Sequence, residues 1–275
     1  MTWHTISRDG IALHGRDQGT GLPVVFQHGL GGNEAQVAEV FPDDAGFRRL
    51  TLDCRGQGRS PEGDPRALSI AAFAGDVLAF ADQRGLRRFA VGGISMGAAI
   101  ALHLAIRHPQ RILGLVLARP AWLWDAAPAN MQPFAEVARL LRSPDIAQAR
   151  IAFERSETGH RLAQTAPDNL ASLLGFFDAE NPAALAALLA AIAADGPGVS
   201  EAEVRRIAIP TLVLGTAVDA VHPIDTAHQL AACIPGARFQ ALTPKSTDRA
   251  RYVREFRMTL ADFLTGLAHT EGNAA

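Results

Sequence analysis

Phe89-Ala90-Val91-Gly92-Gly93-Ile94-Ser95-Met96-Gly97-Ala98-Ala99-Ile100-Ala101 is an apolar run that reaches a serine among glycines and continues as an alanine-rich helical pattern. A short apolar run bounded by glycine reads as a fully buried strand. Met96–Arg107 reads as a helix that Pro109 stops. Gly93–Gly97 fits G-x-S-x-G in the context this pattern demands, a buried strand turning sharply into a helix. Such a turn holds its serine in a strained conformation, and the flanking glycines let strand and helix pack closely. Ser95 also stands at a helix N-terminus, where the dipole favours developing negative charge. Outside this context the five-residue pattern would be a plain glycine-rich turn; within it, Ser95 is the candidate nucleophile.

Working outward, Trp3–Ser7 and Ile11–Arg16 read as a hairpin across Asp9-Gly10. Pro23–Gln27 and Arg49–Asp53 read as strands. Ser69 caps a helical pattern running to about Arg84, with Ile70, Phe73, Val77, Leu78 and Ala81 on one face, and Gly85 ends it. Ile112–Leu117 is the next strand. Strands alternating with helices predict a parallel sheet with right-handed crossovers. From Pro120 to about Arg206 strand patterns give way to helical ones: Pro133–Arg142, Asp145–Ser156, Asp168–Phe177 and Pro182–Ala194. This reads as a helical cap, 120–206, inserted in a core formed by 1–119 and 207–275. Gly196-Pro197-Gly198 marks the return to the core. Thr211–Leu214 and Ala237–Leu242 are strands, each followed by a helix, Asp225–Cys233 and Arg249–Leu267.

Composition narrows the function classes. The chain has 275 residues, 48% hydrophobic and 20% charged, with a formal net charge of -2. That is ordinary globular composition for one large α/β domain. No block of like charge suggests a nucleic-acid or membrane partner. Cys54 and Cys233 are far apart, which favours a reduced, cytoplasmic protein. Met1-Thr2-Trp3-His4-Thr5 carries no signal-peptide pattern. The apolar run Ala183–Ala194 is too short to span a bilayer. No H-E-x-x-H, cysteine cluster or P-loop is present, so neither metal nor organic cofactor is expected, and the partner is a small-molecule substrate.

A second motif sits beside the first. Gln27-His28-Gly29-Leu30-Gly31-Gly32 follows the strand Pro23–Gln27. Backbone N–H groups in such a loop can join that of the residue after the nucleophile to bind an oxyanion, which nominates Leu30 and Met96. A plain glycine turn is the alternative. His28, at the strand end, is a candidate substrate contact or an orienting residue of the loop.

With these residues in view, nearly the whole chain resembles the α/β-hydrolase superfamily. His28-Gly29 resembles its oxyanion loop, and Gly93–Gly97 its nucleophile elbow. Asp53-Cys54-Arg55-Gly56-Gln57-Gly58-Arg59-Ser60 resembles its D-x-R-G-x-G-x-S turn. Leu212–Asp219 resembles the strand and loop that carry the acid, and Arg251–Leu264 the final helix. The resemblance implies an eight-stranded, mostly parallel sheet flanked by helices and a Ser–acid–His mechanism, with Ser95 as nucleophile and Asp219 as acid. A loop aspartate capping the next helix is the alternative for Asp219.

The pattern departs from the family at the base. The family carries its histidine after the last strand, where this chain reads Leu242-Thr243-Pro244-Lys245-Ser246-Thr247-Asp248-Arg249. Of the histidines after Asp219, His269 lies in the polar tail and His228 inside a helix. His222 shares the Asp219 loop and is the candidate base, with a helix-start or pocket-lining role as the alternative. Lys245 is a second candidate, provided that burial or cationic neighbours keep it neutral. A base could also be absent. Arg55, Arg119, Lys245 and Arg249 follow strands at the ligand-binding edge, where they could recognise a carboxylate or phosphate; for Arg55 the alternative, which the resemblance implies, is a turn residue that organises loops, and Arg119 and Lys245 are named as substrate contacts. Three readings follow: a hydrolase of a small ester, lactone or thioester, neutral or anionic; a lyase on the same scaffold; or a ligand-binding protein without turnover. The sequence leaves substrate identity and oligomeric state open.

Overall fold

The computed structural model describes residues 3–43 and 46–274; Met1 and Thr2 of the N-terminal stretch lie outside them. The strands are β1 (Trp3–Arg8), β2 (Ile11–Gly19), β3 (Leu22–Gln27), β4 (Phe47–Leu52), β5 (Phe89–Ile94), β6 (Ile112–Ala118), β7 (Thr211–Thr216) and β8 (Arg238–Leu242). They form one sheet in the order β1-β2-β4-β3-β5-β6-β7-β8. β2 pairs antiparallel with β1 and β4, and every other pairing is parallel. The hairpin joining β1 to β2 turns at Asp9 and Gly10, both with positive φ, as a tight two-residue turn demands.

Both faces of the sheet are covered, which is why the strands read as continuous apolar runs. α1 (Glu34–Val40) and the final helix α11 (Arg249–Ala274) lie on one face. There Val24, Phe26, Val116 and Leu214 meet Val37, Tyr252, Phe256 and Leu260. On the other face Val25, Leu50, Val91 and Leu117 meet α2 (Ile70–Gln83) and α3 (Met96–Arg107). Val24 and Val25 thus belong to different cores, the two-residue alternation of a strand.

Between β6 and β7 the chain makes no strand. It runs through α4 (Gln132–Leu140), α5 (Ile146–Glu154), α6 (Glu157–Thr165), α7 (Pro167–Leu174), α8 (Pro182–Ala193) and α9 (Glu201–Val204). α10 (Ile224–Cys233) follows β7. No helix of the described residues is long and apolar enough to cross a membrane.

Four elements differ from the pattern-based reading, one of them the four-residue α9, where no helix was expected. α1 has only seven residues, too few for a clear periodicity. α6 buries only Thr158, Gly159 and Leu162, so it lacks an apolar stripe. Its Gly159 approaches α5 so closely that a Cβ would lie 2.3 Å from the Phe153 carbonyl oxygen. The helix expected over Asp168–Phe177 ends at Leu174 and tightens into a 3₁₀ turn over Gly175–Asp178.

Arg55, considered above for anion recognition, is instead a structural tie. Its Nε and Nη2 donate to Asp76 on α2 at 2.6 and 2.8 Å, with both side chains 2% exposed. A further Nη2 bond reaches Asp9 in the hairpin turn. Removing one partner of a buried pair strands the other charge. Asp76→Ala should therefore lower stability by about 3–5 kcal/mol in urea unfolding; a loss below about 1 kcal/mol would contradict a buried tie.

Candidate active site

Ser95 follows β5 with φ 56° and ψ -112°. Positive φ in a non-glycine residue costs about 1–3 kcal/mol and persists only where the surroundings impose it. Here they do. The Ser95 amide donates to the Ala118 carbonyl at 3.0 Å, and its carbonyl accepts from Ala98 and Ala99. A Cβ on Gly93 would lie 2.4 Å from the Gly97 carbonyl carbon, and one on Gly97 would lie 2.3 Å from the Gln27 carbonyl oxygen. The two glycines therefore let α3 fold back against β5 and β3. The Ser95 hydroxyl makes no hydrogen bond among the described residues and lines a cavity of about 110 Å³.

The loop after β3 reaches the same cavity. Gly29 packs against the turn so that a Cβ there would lie 3.4 Å from the Ser95 Cβ. Three of its amides are occupied: Gly29 donates to Gln36 Oε1 at 2.7 Å, Gly31 to Gln57 Oε1 at 2.7 Å, and Gly32 to the Gly29 carbonyl at 2.9 Å. Leu30, between them, has an amide without an acceptor, as does Met96 at the first position of α3. The amides nominated for an oxyanion thus belong to those without an acceptor among the described residues.

His28 departs from its expected role as a substrate contact. It is 0% exposed and lies outside the cavity lining. Nδ1 lies 2.8 Å from the Gly29 carbonyl and Nε2 accepts from the Cys54 amide at 3.0 Å. These partners require the neutral ring with its proton on Nδ1, and burial lowers the pKa in the same sense. His28 holds the loop after β3 to the turn after β4.

Asp219 and His222 lie in the loop between β7 and α10. His222 Nδ1 lies 2.9 and 3.0 Å from the two Asp219 oxygens, and the His222 amide donates to Oδ1 at 3.0 Å. Two nearby acceptors place the imidazole proton on Nδ1. Nε2 is then an acceptor, and it is buried without a hydrogen-bond partner. His222 lines the cavity with Ser95, although no hydrogen bond joins them.

Arg119, at the end of β6, also lines the cavity, yet it does not serve as an open anion receptor. Its Nε and Nη2 donate to Asp219 Oδ2 at 2.9 and 2.6 Å. Tyr252 of α11, itself buried, adds a favourable electrostatic interaction with the same guanidinium. Burial alone would raise the Asp219 pKa, but His222 and Arg119 hold the carboxyl well below its usual range. Burial also lowers the His222 pKa, the Arg119 charge adds to this, and Asp219 opposes both. The ring is therefore held toward its neutral form.

Lys245 lines the cavity and is exposed, with no hydrogen bond or ion pair. Of the two conditions set for it as a base, burial or cationic neighbours, burial is not met. Arg249 pairs with Glu39, His228 packs its ring on Phe239, and neither lines the cavity. The remaining wall is apolar and includes Leu30, Phe134, Leu173, Phe176 and Val221. Gln57, Asn130, Asn169 and Tyr252 were not singled out in the sequence. Gln57 had a signal: it occupies a variable position of the turn motif after β4, from which it reaches Gly31. The other three act through contacts distant in sequence.

The family model described as alpha/beta hydrolase fold matches residues 23–244, and the chain belongs to that family. A protein of Rhizobium rhizogenes named "Putative carbamate hydrolase RutD" is 30% identical over 230 residues, covering 80% of this chain and 83% of its own. A Klebsiella pneumoniae protein of the same name is 29% identical over 225 residues, covering 79% and 82%. Among solved structures, the enol-lactonase from Burkholderia xenovorans LB400 is similar with a TM-score of 0.72 and 28% identity, covering 95% of this chain and 100% of that one. A hydrolase from Pseudomonas aeruginosa has the same TM-score at 27% identity, covering 95% and 98%. The family and its relatives identify an α/β-hydrolase enzyme.

The strain at position 95 has a measurable sign. In ordinary backbone glycine is less stable than alanine by about 0.5–1 kcal/mol. At φ 56° the order should reverse, with Ser95→Gly more stable than Ser95→Ala by about 1 kcal/mol in thermal or urea unfolding. Alanine proving the more stable would mean that position 95 is not strained.

Proposed function

We propose that this protein is a serine hydrolase acting on a small ester, lactone or thioester through Ser95, with His222 as general base and Asp219 as the acid that orients it. The observation carrying this reading is the His222–Asp219 pair, with Nε2 unpartnered on a residue that shares the cavity with Ser95. The names of the relatives, for carbamate hydrolysis and for an enol-lactonase, support the same chemistry. The small cavity favours a small acyl group, and Lys245 on its wall suits substrates carrying an anion as well as neutral ones. The cap reading of 120–206 assigns specificity to this segment, which supplies Phe134, Asp168, Ser172, Leu173 and Phe176 to the wall.

In the proposed reaction the Ser95 hydroxyl attacks the substrate carbonyl and passes its proton to His222 Nε2. The carbonyl oxygen takes up negative charge between the Leu30 and Met96 amides. The carbon–leaving-group bond breaks, and Nε2–H protonates the departing oxygen or sulfur. Water then repeats the sequence on the acyl-enzyme, restoring Ser95 and neutral His222.

Hydrolysis of p-nitrophenyl acetate tests the roles. Ser95→Ala should lose nearly all activity, and His222→Ala about 10²–10⁴-fold in kcat. Lys245→Ala should stay within about tenfold. A Lys245→Ala loss larger than that of His222→Ala would transfer the base role to lysine.

The pH profile follows from the electrostatics. Only neutral His222 accepts the proton, so the rate falls as pH drops through its titration. Burial and Arg119 lower that titration, so the acid limb of kcat/KM should have its midpoint below the usual histidine value of about 6.5, with a plateau above it. A midpoint at or above that value would show that Asp219 outweighs burial and Arg119.

A further inference from the structure

We infer that Asn169 and Asn130, both from the segment between β6 and β7, are positioning residues that hold the loop carrying Asp219 and His222 in its working conformation. The inference rests on the proposed roles of Ser95 and His222.

The loop cannot hold itself. It leaves β7 through Val218, which is 49% exposed at φ 59°, an outlier for a β-branched residue. Such strain persists where other contacts over-determine the backbone. The amides that follow show which contacts do so. His222 donates to Asp219 within the loop. Ala220 and Val221 donate at 2.7 and 3.1 Å to one atom, Oδ1 of Asn169 on α7. The Val221 carbonyl accepts from Asn130 Nδ2 at 2.6 Å, and the same nitrogen donates at 2.8 Å to the Ala121 carbonyl. Asn169 is 5% exposed and Val221 is 2% exposed, so losing either partner would leave buried backbone groups unpaired.

The two amides hold the loop with opposite chemistry. Asn169 is needed as an acceptor between two N–H groups, and Asn130 as a donor between two carbonyls, which fixes the orientation of both side chains. This arrangement suits a chain that carries acid and base on one loop. Moving that backbone moves both groups relative to Ser95, and a displacement of about 1 Å can cost about a hundredfold in rate.

The polarity difference gives the test. Asparagine and aspartate have nearly the same shape, but ionised aspartate accepts and cannot donate. Hydrolysis of p-nitrophenyl acetate is measured at pH 8, on the expected plateau. Asn169→Ala should lower kcat at least about tenfold with KM changed less than about threefold, and Asn169→Asp should recover kcat to within about threefold of the wild type. At position 130 aspartate should be as damaging as alanine. Wild-type kcat in Asn169→Ala, failure of Asn169→Asp to recover, or normal rates in Asn130→Asp would each overturn the inference while leaving the Ser95 mechanism intact. Wild-type turnover in Ser95→Ala would instead defeat the underlying mechanism, and this inference with it.

Discussion

A hydrogen atom is all that fits on Gly93 and Gly97 where α3 folds back against β5 and β3. A single Cβ at either position would fall within 2.4 Å of backbone. Beside this close approach Ser95 has positive φ, Met96 opens the helix, and Gly29 of the loop after β3 lies against the serine. The proposed nucleophile and the proposed oxyanion donors therefore share one packing constraint. The loop amides around Leu30 are then saturated one at a time by Gln36, Gln57 and the Gly29 carbonyl, so that the remaining donor is fixed by exclusion.

The proposed acid and base answer to a different force. Asp219 is a carboxylate with a side chain only 4% exposed, and an uncompensated charge at that depth is costly. Arg119 and His222 supply the compensation. The same cation lies 3.2 Å from His222 Nδ1 and disfavours a second positive charge there. The cluster thus trades some of the ease with which His222 accepts a proton for a ring that remains neutral toward lower pH. Ser95, Arg119 and Val218 all have positive φ at the ends of β5, β6 and β7. Asp9 and Ala127 share this conformation elsewhere among the described residues, so three of the five such non-glycine residues follow strands that end near the cavity.

Much of this was legible in the sequence. The strands of the parallel sheet are buried on both faces and announce themselves as apolar runs between glycines. Ser95 was readable because its motif lies between such a strand and a helix. Leu30 and Met96 followed from their place beside it. His222 could be nominated by elimination, but its pairing with Asp219 depends on how one turn folds. The ion pair that occupies Arg119 and the burial that favours the loop-orienting reading of His28 could not be seen in advance, because burial and partners do not show in residue type. Asn169 meets Ala220 across 51 positions and Arg119 meets Asp219 across 100. Such contacts leave no local pattern to read.

The most direct measurement of the central claim is the rate of covalent labelling by a fluorophosphonate, followed by mass spectrometry of the intact protein and its peptides. Attack on phosphorus needs the same hydroxyl and the same proton acceptor as attack on a carbonyl. One adduct on Ser95 is expected, forming at least about a hundredfold more slowly in His222→Ala. No adduct on Ser95, or equal rates in the two proteins, would contradict the pairing of Ser95 with His222.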